Sequence, residues 1–180
     1  MKYLFIVQGE GRSHLTQAIS LSQMLRHHGH EVVEVLVGKS SNREIPSFFL
    51  EKIGAKVKTF ASPNFCYGRD HKKVKLAKSI LLNITVKKLR EYRKSVNLIH
   101  RHIQKMEPDV VINFYEILAG LVNLRFREHV PFVCIAHQFL MKHPDYQYGN
   151  RTRKEEILLR LNNTLCSILS LIHISEPTRP

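Results

Sequence analysis

Seven consecutive residues, Gln8-Gly9-Glu10-Gly11-Arg12-Ser13-His14, bring small and titratable side chains together as a reaction site requires. Glycines let backbone approach a ligand closely. A helix starting just after them offers free N–H groups and the positive end of its dipole, which favour an anion or developing negative charge. An imidazole titrates near neutrality, so His14 suits a general base that takes a proton from a hydroxyl. Two plainer readings stay open: a turn kept glycine-rich for tight packing, and a histidine that caps or packs on the loop. The turn does not fit a dinucleotide fingerprint. His14 stands where the third glycine would be, and Gly38-Lys39 follow Val37 where an acid would be expected.

Two further polar clusters follow apolar runs. They are Asn113-Phe-Tyr-Glu116 and Ala136-His137-Gln138, and Glu116, His137 and Gln138 are expected at the carboxyl ends of strands, where open α/β sheets bind ligands. There they could orient a substrate or pair with His14, or simply cap helices and pack loops. Cys66, Cys134 and Cys166 are odd in number and lack CxxC or Cys/His spacing, so neither a disulfide framework nor a zinc site is expected.

The elements that must carry these residues are legible from periodicity. Lys2–Gln8, Glu31–Val37, Lys56–Phe60, Asp109–Asn113 and Phe132–Ala136 are short apolar runs of β-forming residues, the second closed by Gly38. Helical periodicity covers Ser13–His28, Arg43–Ile53, a long stretch Lys72–Lys105 bent near Asn83-Ile-Thr85, Ile117–Phe126 and Lys154–Ile168. Strands alternating with single helices predict an α/β fold, a Rossmann-like parallel sheet flanked by helices. With 180 residues there is room for one such domain and little more.

Lys and Arg number 28 against 15 acids, for a net charge of +13 and a pI near 9.9. Between Arg69 and Lys105 stand twelve Lys or Arg against Asp70 and Glu91, so one segment holds most of the excess. Lys72, Lys73, Lys75, Lys78, Lys87, Lys88, Arg90 and Arg93 alternate with Leu76, Ile80, Leu81, Ile84, Val86 and Leu89, the composition of a helix lying on an anionic bilayer. The plainer reading is the solvated face of a core helix. No nucleic-acid module appears, and charge alone supports only non-specific binding to nucleic acid. No apolar run reaches the roughly 18 residues of a spanning helix. The expected location is the cytoplasm, peripheral at most on the inner face of the plasma membrane.

Three stretches carry a family likeness: Phe5-Ile-Val-Gln-Gly-Glu-Gly-Arg-Ser-His14, Gly29-His-Glu-Val-Val33 and Lys105-Met-Glu-Pro-Asp-Val-Val-Ile-Asn113. Together they resemble the N-terminal domain of GT-B glycosyltransferases, nearest the group that includes the peptidoglycan N-acetylglucosaminyltransferase and the bacterial diacylglycerol glucosyltransferases. The likeness spans about residues 1–168. It implies the acceptor-side half of a two-domain enzyme that moves a hexosyl group from a nucleotide sugar, with inversion and without a metal or other cofactor. His14 would be the catalytic base. Gly9, Gly11, Arg12, Ser13, Glu116, His137 and Gln138 would line the acceptor site, and the acceptor could be a lipid-linked sugar. Ser13 departs from the glycine common before that histidine, so its side chain either crowds the acceptor or donates a hydrogen bond.

The last twelve residues, Leu169-Ser-Leu-Ile-His-Ile-Ser-Glu-Pro-Thr-Arg-Pro180, resemble the in-frame translation of a transposase adapter used in sequencing libraries. The expected organisation is therefore an incomplete protein over 1–168 with a non-native tail over 169–180, inactive without its donor-binding half. Two other classes stay open: a non-catalytic acceptor or membrane-recruiting subunit of a split glycosyltransferase, and a basic anion-binding module.

Overall fold

Apolar runs too short for helices and flanked by amphipathic ones are most stable stacked into a sheet covered on both faces, and that is the architecture of the computed structural model. It describes residues 1–40, 44–63 and 85–135, together with Thr164. Five strands, β1 (Lys2–Gln8), β2 (Glu31–Lys39), β3 (Val57–Ala61), β4 (Val110–Phe114) and β5 (Phe132–Cys134), pair in the order β3-β2-β1-β4-β5. Every pairing is parallel, as the alternating pattern requires.

Among the described residues four helices flank them: α1 (Arg12–His27), α2 (Ser47–Lys52), α3 (Val86–Met106) and α4 (Ile117–Phe126). Because successive side chains of a strand point to opposite faces, β1 feeds two cores. Phe5 and Val7 pack with Leu15, Ala18 and Ile19 of α1 and Phe49 of α2. Leu4 and Ile6 pack with Tyr92, Val96, Ile99 and Ile103 of α3 and with Leu118 and Val122 of α4. Chain order reverses between β1 and β4, so the crevice at their carboxyl ends is the topological switch point.

Several expected boundaries shift for local reasons. The second helix starts at Ser47 rather than Arg43, because Pro46 holds the preceding residue extended and stands as the N-cap with φ −58° and ψ 139°. Strand β2 runs through Gly38 to Lys39 instead of closing at the glycine, with Gly38 in register with Gln8 on one side and Phe60 on the other. The basic helix does not pass through Thr85 with a bend. Thr85 is extended and caps α3, its hydroxyl accepting the Lys88 N–H at 3.3 Å. Glu107, in the left-handed region at φ 44°, ends that helix just before Pro108. Thr164 is helical, as expected of the last helix, whereas the tail 169–180 lies outside the described residues.

A charged side chain sits in the core beneath β2. Glu34 on β2 is fully buried on the α3 side, and Lys58 Nζ at 3.0 Å and His102 Nδ1 at 2.6 Å approach its two carboxylate oxygens. An unpaired carboxylate there would be costly, so the three side chains fasten β2, β3 and α3 together.

The centre of the fold is the edge-on contact of Phe5 with Phe114, ring centroids 5.2 Å apart across β1 and β4. Phe5 is fully buried, so Phe5→Ala is expected to cost about 3–5 kcal/mol, read as a lowered urea midpoint with an unchanged denaturant slope.

Candidate functional site

The glycine-rich turn leaves β1 at Gln8 and is tied to the end of β2 at two points. Gly9 N–H donates to Gly38 O at 2.7 Å, and Glu10 Oε1 accepts the Ser40 N–H at 2.7 Å. A Cβ on Gly9 would stand 2.8 Å from Gly38 O and 2.8 Å from Val37 Cγ1, closer than real side chains come. Tight packing is thus one true reason for the glycine. Gly11 is the N-cap of α1; no side chain caps the helix and its first turn holds no acid. Its first N–H groups are therefore not taken by a capping side chain, and they point toward the crevice end of the sheet.

His14 sits in that first turn, 2 % exposed. Its ring stacks on Tyr115 with centroids 5.8 Å apart and planes 20° apart. Gly11 flanks the ring edge, since a Cβ there would be 3.6 Å from His14 Cδ2. Tyr115 occupies the left-handed region at φ 57°, a conformation that costs a side-chain-bearing residue about 1 kcal/mol or more. A bracket around it holds the corner. Asn113 Oδ1 accepts the Glu116 N–H at 2.8 Å, while Asn113 Nδ2 donates to Glu116 O at 3.1 Å.

The corner sends its two polar side chains opposite ways. Tyr115 goes over His14 on the α1 side, whereas Glu116 turns beneath β2 and β3. Glu116 is the N-cap of α4, and its Oε1 accepts the Leu118 N–H at 3.1 Å and the Ser62 hydroxyl at 2.7 Å. Oε2 has no hydrogen-bond partner among the described residues and lies against Gly38, where a Cβ would collide with it. Burial raises the Glu116 carboxyl from 4.5 to about 7, with the nearby Glu10 charge adding to the rise and the Ser62, Leu118 and Ile117 hydrogen bonds opposing it.

The model of the family described as glycosyl transferase family 1 matches residues 1–168. The chain belongs to that family. Among curated proteins none matches. The solved spinosyn rhamnosyltransferase SpnG in complex with thymidine diphosphate is 15% identical over 74% of this chain and 34% of its own, with a TM-score of 0.46. The glycotransferase of kitacinnamycin is 13% identical over 93% of this chain and 40% of its own, also at 0.46. Acinetobacter baumannii MurG is 14% identical over 74% of this chain and 33% of its own, at 0.40. The chain thus spans between a third and two fifths of those lengths.

In this glycosyl transferase family 1 chain, the expected Rossmann-like α/β fold holds, and Gly9, Gly11, Arg12, Ser13, His14 and Glu116 all lie at the carboxyl end of the sheet. Arg12 and Ser13 are exposed on the first turn of α1. Glu116 has the geometry of a helix cap bonded to Ser62. His137 and Gln138 lie outside the described residues, as do Lys72, Lys73, Lys75 and Lys78. Lys87, Arg90 and Arg93 are exposed on the first half of α3, and Lys88 pairs with Glu91 at 3.0 Å. Of these basic residues Arg93 lines a groove of about 650 Å³ between α3 and α4, together with Leu89, Ile117, Leu121, Leu124 and Arg125.

Periodicity missed three participants: Tyr115, Ser62 and Gly38. A glycine inside an apolar strand run is a signal of close backbone or side-chain approach, and here the approaching group is Glu116.

The raised carboxyl of Glu116 fixes a sign. Between about pH 4.5 and 7 the folded chain holds a proton that the unfolded chain has lost, so this group's contribution to stability is full below pH 4.5 and declines as pH rises through 7. Glu116→Gln, a neutral group that still accepts from Ser62, should remove that decline. Urea unfolding at pH 5 and pH 8 is expected to show the variant gaining on the parent by up to about 3 kcal/mol across the interval.

Proposed function

We propose that residues 1–168 form the acceptor-side domain of a transferase that moves a hexosyl group from a nucleotide sugar to an acceptor hydroxyl. The observation that carries this reading is His14, which belongs to a glycosyl transferase family 1 chain and stands in the first turn of α1 at the topological switch point. In the step, His14 takes the hydroxyl proton. The acceptor oxygen bonds to the anomeric carbon as the bond from that carbon to the diphosphate oxygen breaks, and the configuration inverts. The nucleoside diphosphate leaves with the bonding electrons, its charge met by helix N-termini. Gly9 and Gly11 let the acceptor approach the backbone, and Arg12 and Ser13 supply donors at the rim. The donor nucleotide sugar belongs to a second domain beyond this chain, and the residues proposed here need no metal.

A peripheral membrane role is favoured by a separate observation. Val86, Leu89, Leu121 and Leu124 are large apolar side chains left exposed beside Arg93 and Arg125, and Lys87 and Arg90 extend the basic face. Apolar side chains ringed by cations fit the headgroup boundary of an anionic leaflet, which would bring a lipid-linked acceptor to the enzyme. No helix among the described residues is long and apolar enough to cross a membrane.

In the enzyme encoded by the complete gene, His14→Ala is expected to lower kcat by about 10²–10⁴-fold with the donor KM nearly unchanged. An unchanged kcat removes His14 as the base. Sedimentation of this chain with phosphatidylglycerol vesicles, lost on Leu89→Glu with Leu121→Glu and weak with phosphatidylcholine alone, is the outcome expected of the membrane face. Binding that survives the double substitution assigns attachment elsewhere.

A further inference from the structure

The side chain over His14 is held by the corner between β4 and α4, which Ser62 ties to the end of β3. Tyr115 is buried, stacked nearly parallel to the imidazole at 5.8 Å, and fixed at φ 57° in a region that residues with a Cβ rarely adopt. Such an outlier persists only where its surroundings over-determine it. Here they do: the Asn113 amide grips both the N–H and the carbonyl of Glu116, at 2.8 and 3.1 Å, and the Glu116 carboxylate is in turn bonded to Leu118 N–H and to the Ser62 hydroxyl. A glycine would satisfy this backbone without strain. The chain has a tyrosine instead, so the ring itself has a use.

We infer that Tyr115 is a positioning residue for His14, its ring clamping the imidazole against Gly11 so that the base meets its acceptor in one orientation. This rests on the reading of His14 as the base, and it adds the residue that aims it. A stacked π face also suits a partner that becomes cationic when it accepts a proton. The Asn113 bracket fixes the backbone of the corner through both bonds to Glu116, and so fixes where the Tyr115 Cβ stands relative to His14.

The test is the orientation of His14 in the isotope-labelled 180-residue chain, read from nuclear Overhauser contacts between its ring Cδ2 proton and the Gly11 α-protons, which the stacked geometry brings close. Tyr115→Phe is expected to keep the contact. Tyr115→Leu and Tyr115→Gly are expected to lose it to averaging over two ring orientations. The glycine variant separates positioning from folding, because it relieves the backbone at Tyr115 and should unfold at the same or a higher urea concentration than Tyr115→Leu while still losing the contact. If His14 keeps its contact to Gly11 in folded Tyr115→Gly or Tyr115→Leu, helix packing alone aims the ring and the inference is overturned. Should the folded variants behave as expected while His14→Ala leaves transfer intact in the complete enzyme, the clamp stands and the base assignment falls.

Discussion

Side-chain-free contact between the end of β1 and the end of β2 governs the chemistry-bearing edge of this sheet. Gly9 N–H meets Gly38 O at 2.7 Å, with no space for a Cβ on Gly9, and Gly38 in turn leaves room for the buried carboxylate of Glu116. That closeness fixes where α1 begins, hence where its first-turn N–H groups and His14 stand. It also lets the β4 corner fold under β2, so that Glu116 reaches Ser62 across the end of β3. Were either glycine larger, the turn and the corner could not occupy their present positions together.

The same edge shows how one sheet separates two tasks. On the α1 side of the switch point the corner contributes an aromatic ring to a histidine, and on the α3 side it contributes a carboxyl to a helix cap. Adjacent residues take opposite faces because Asn113 brackets Glu116 and drives Tyr115 into the left-handed region. The groove between α3 and α4 reaches the same corner, since Pro63, Ile117 and Leu118 line it together with Leu89, Arg93 and Leu121.

Much of this was legible in the sequence. The apolar runs at Tyr3–Val7 and Val111–Ile112 and the helix Ile117–Phe126 show their periods plainly, so parallel pairing follows from alternation, whereas the order β3-β2-β1-β4-β5 and its switch point do not. His14 was marked by its place after two glycines. What stayed hidden depends on contacts between residues far apart in sequence: Ser62 to Glu116, Gly38 to Glu116, and His14 to Tyr115. A glycine that ends a strand and one that admits a neighbour look alike in one sequence, and Thr85 looked like a bend because a cap inside a long helical pattern carries the same residue types.

The central claim is that the switch point, rather than the basic helix, receives the sugar hydroxyls. Amide chemical-shift mapping of the labelled chain with octyl β-glucoside below its micelle concentration tests it, since that probe carries both a pyranose and an alkyl chain. The account predicts saturable shifts at Gly9, Gly11, Ser13, His14 and Tyr115. Shifts confined to Leu89, Arg93, Leu121 and Arg125, with Gly9 to His14 unmoved, would contradict it.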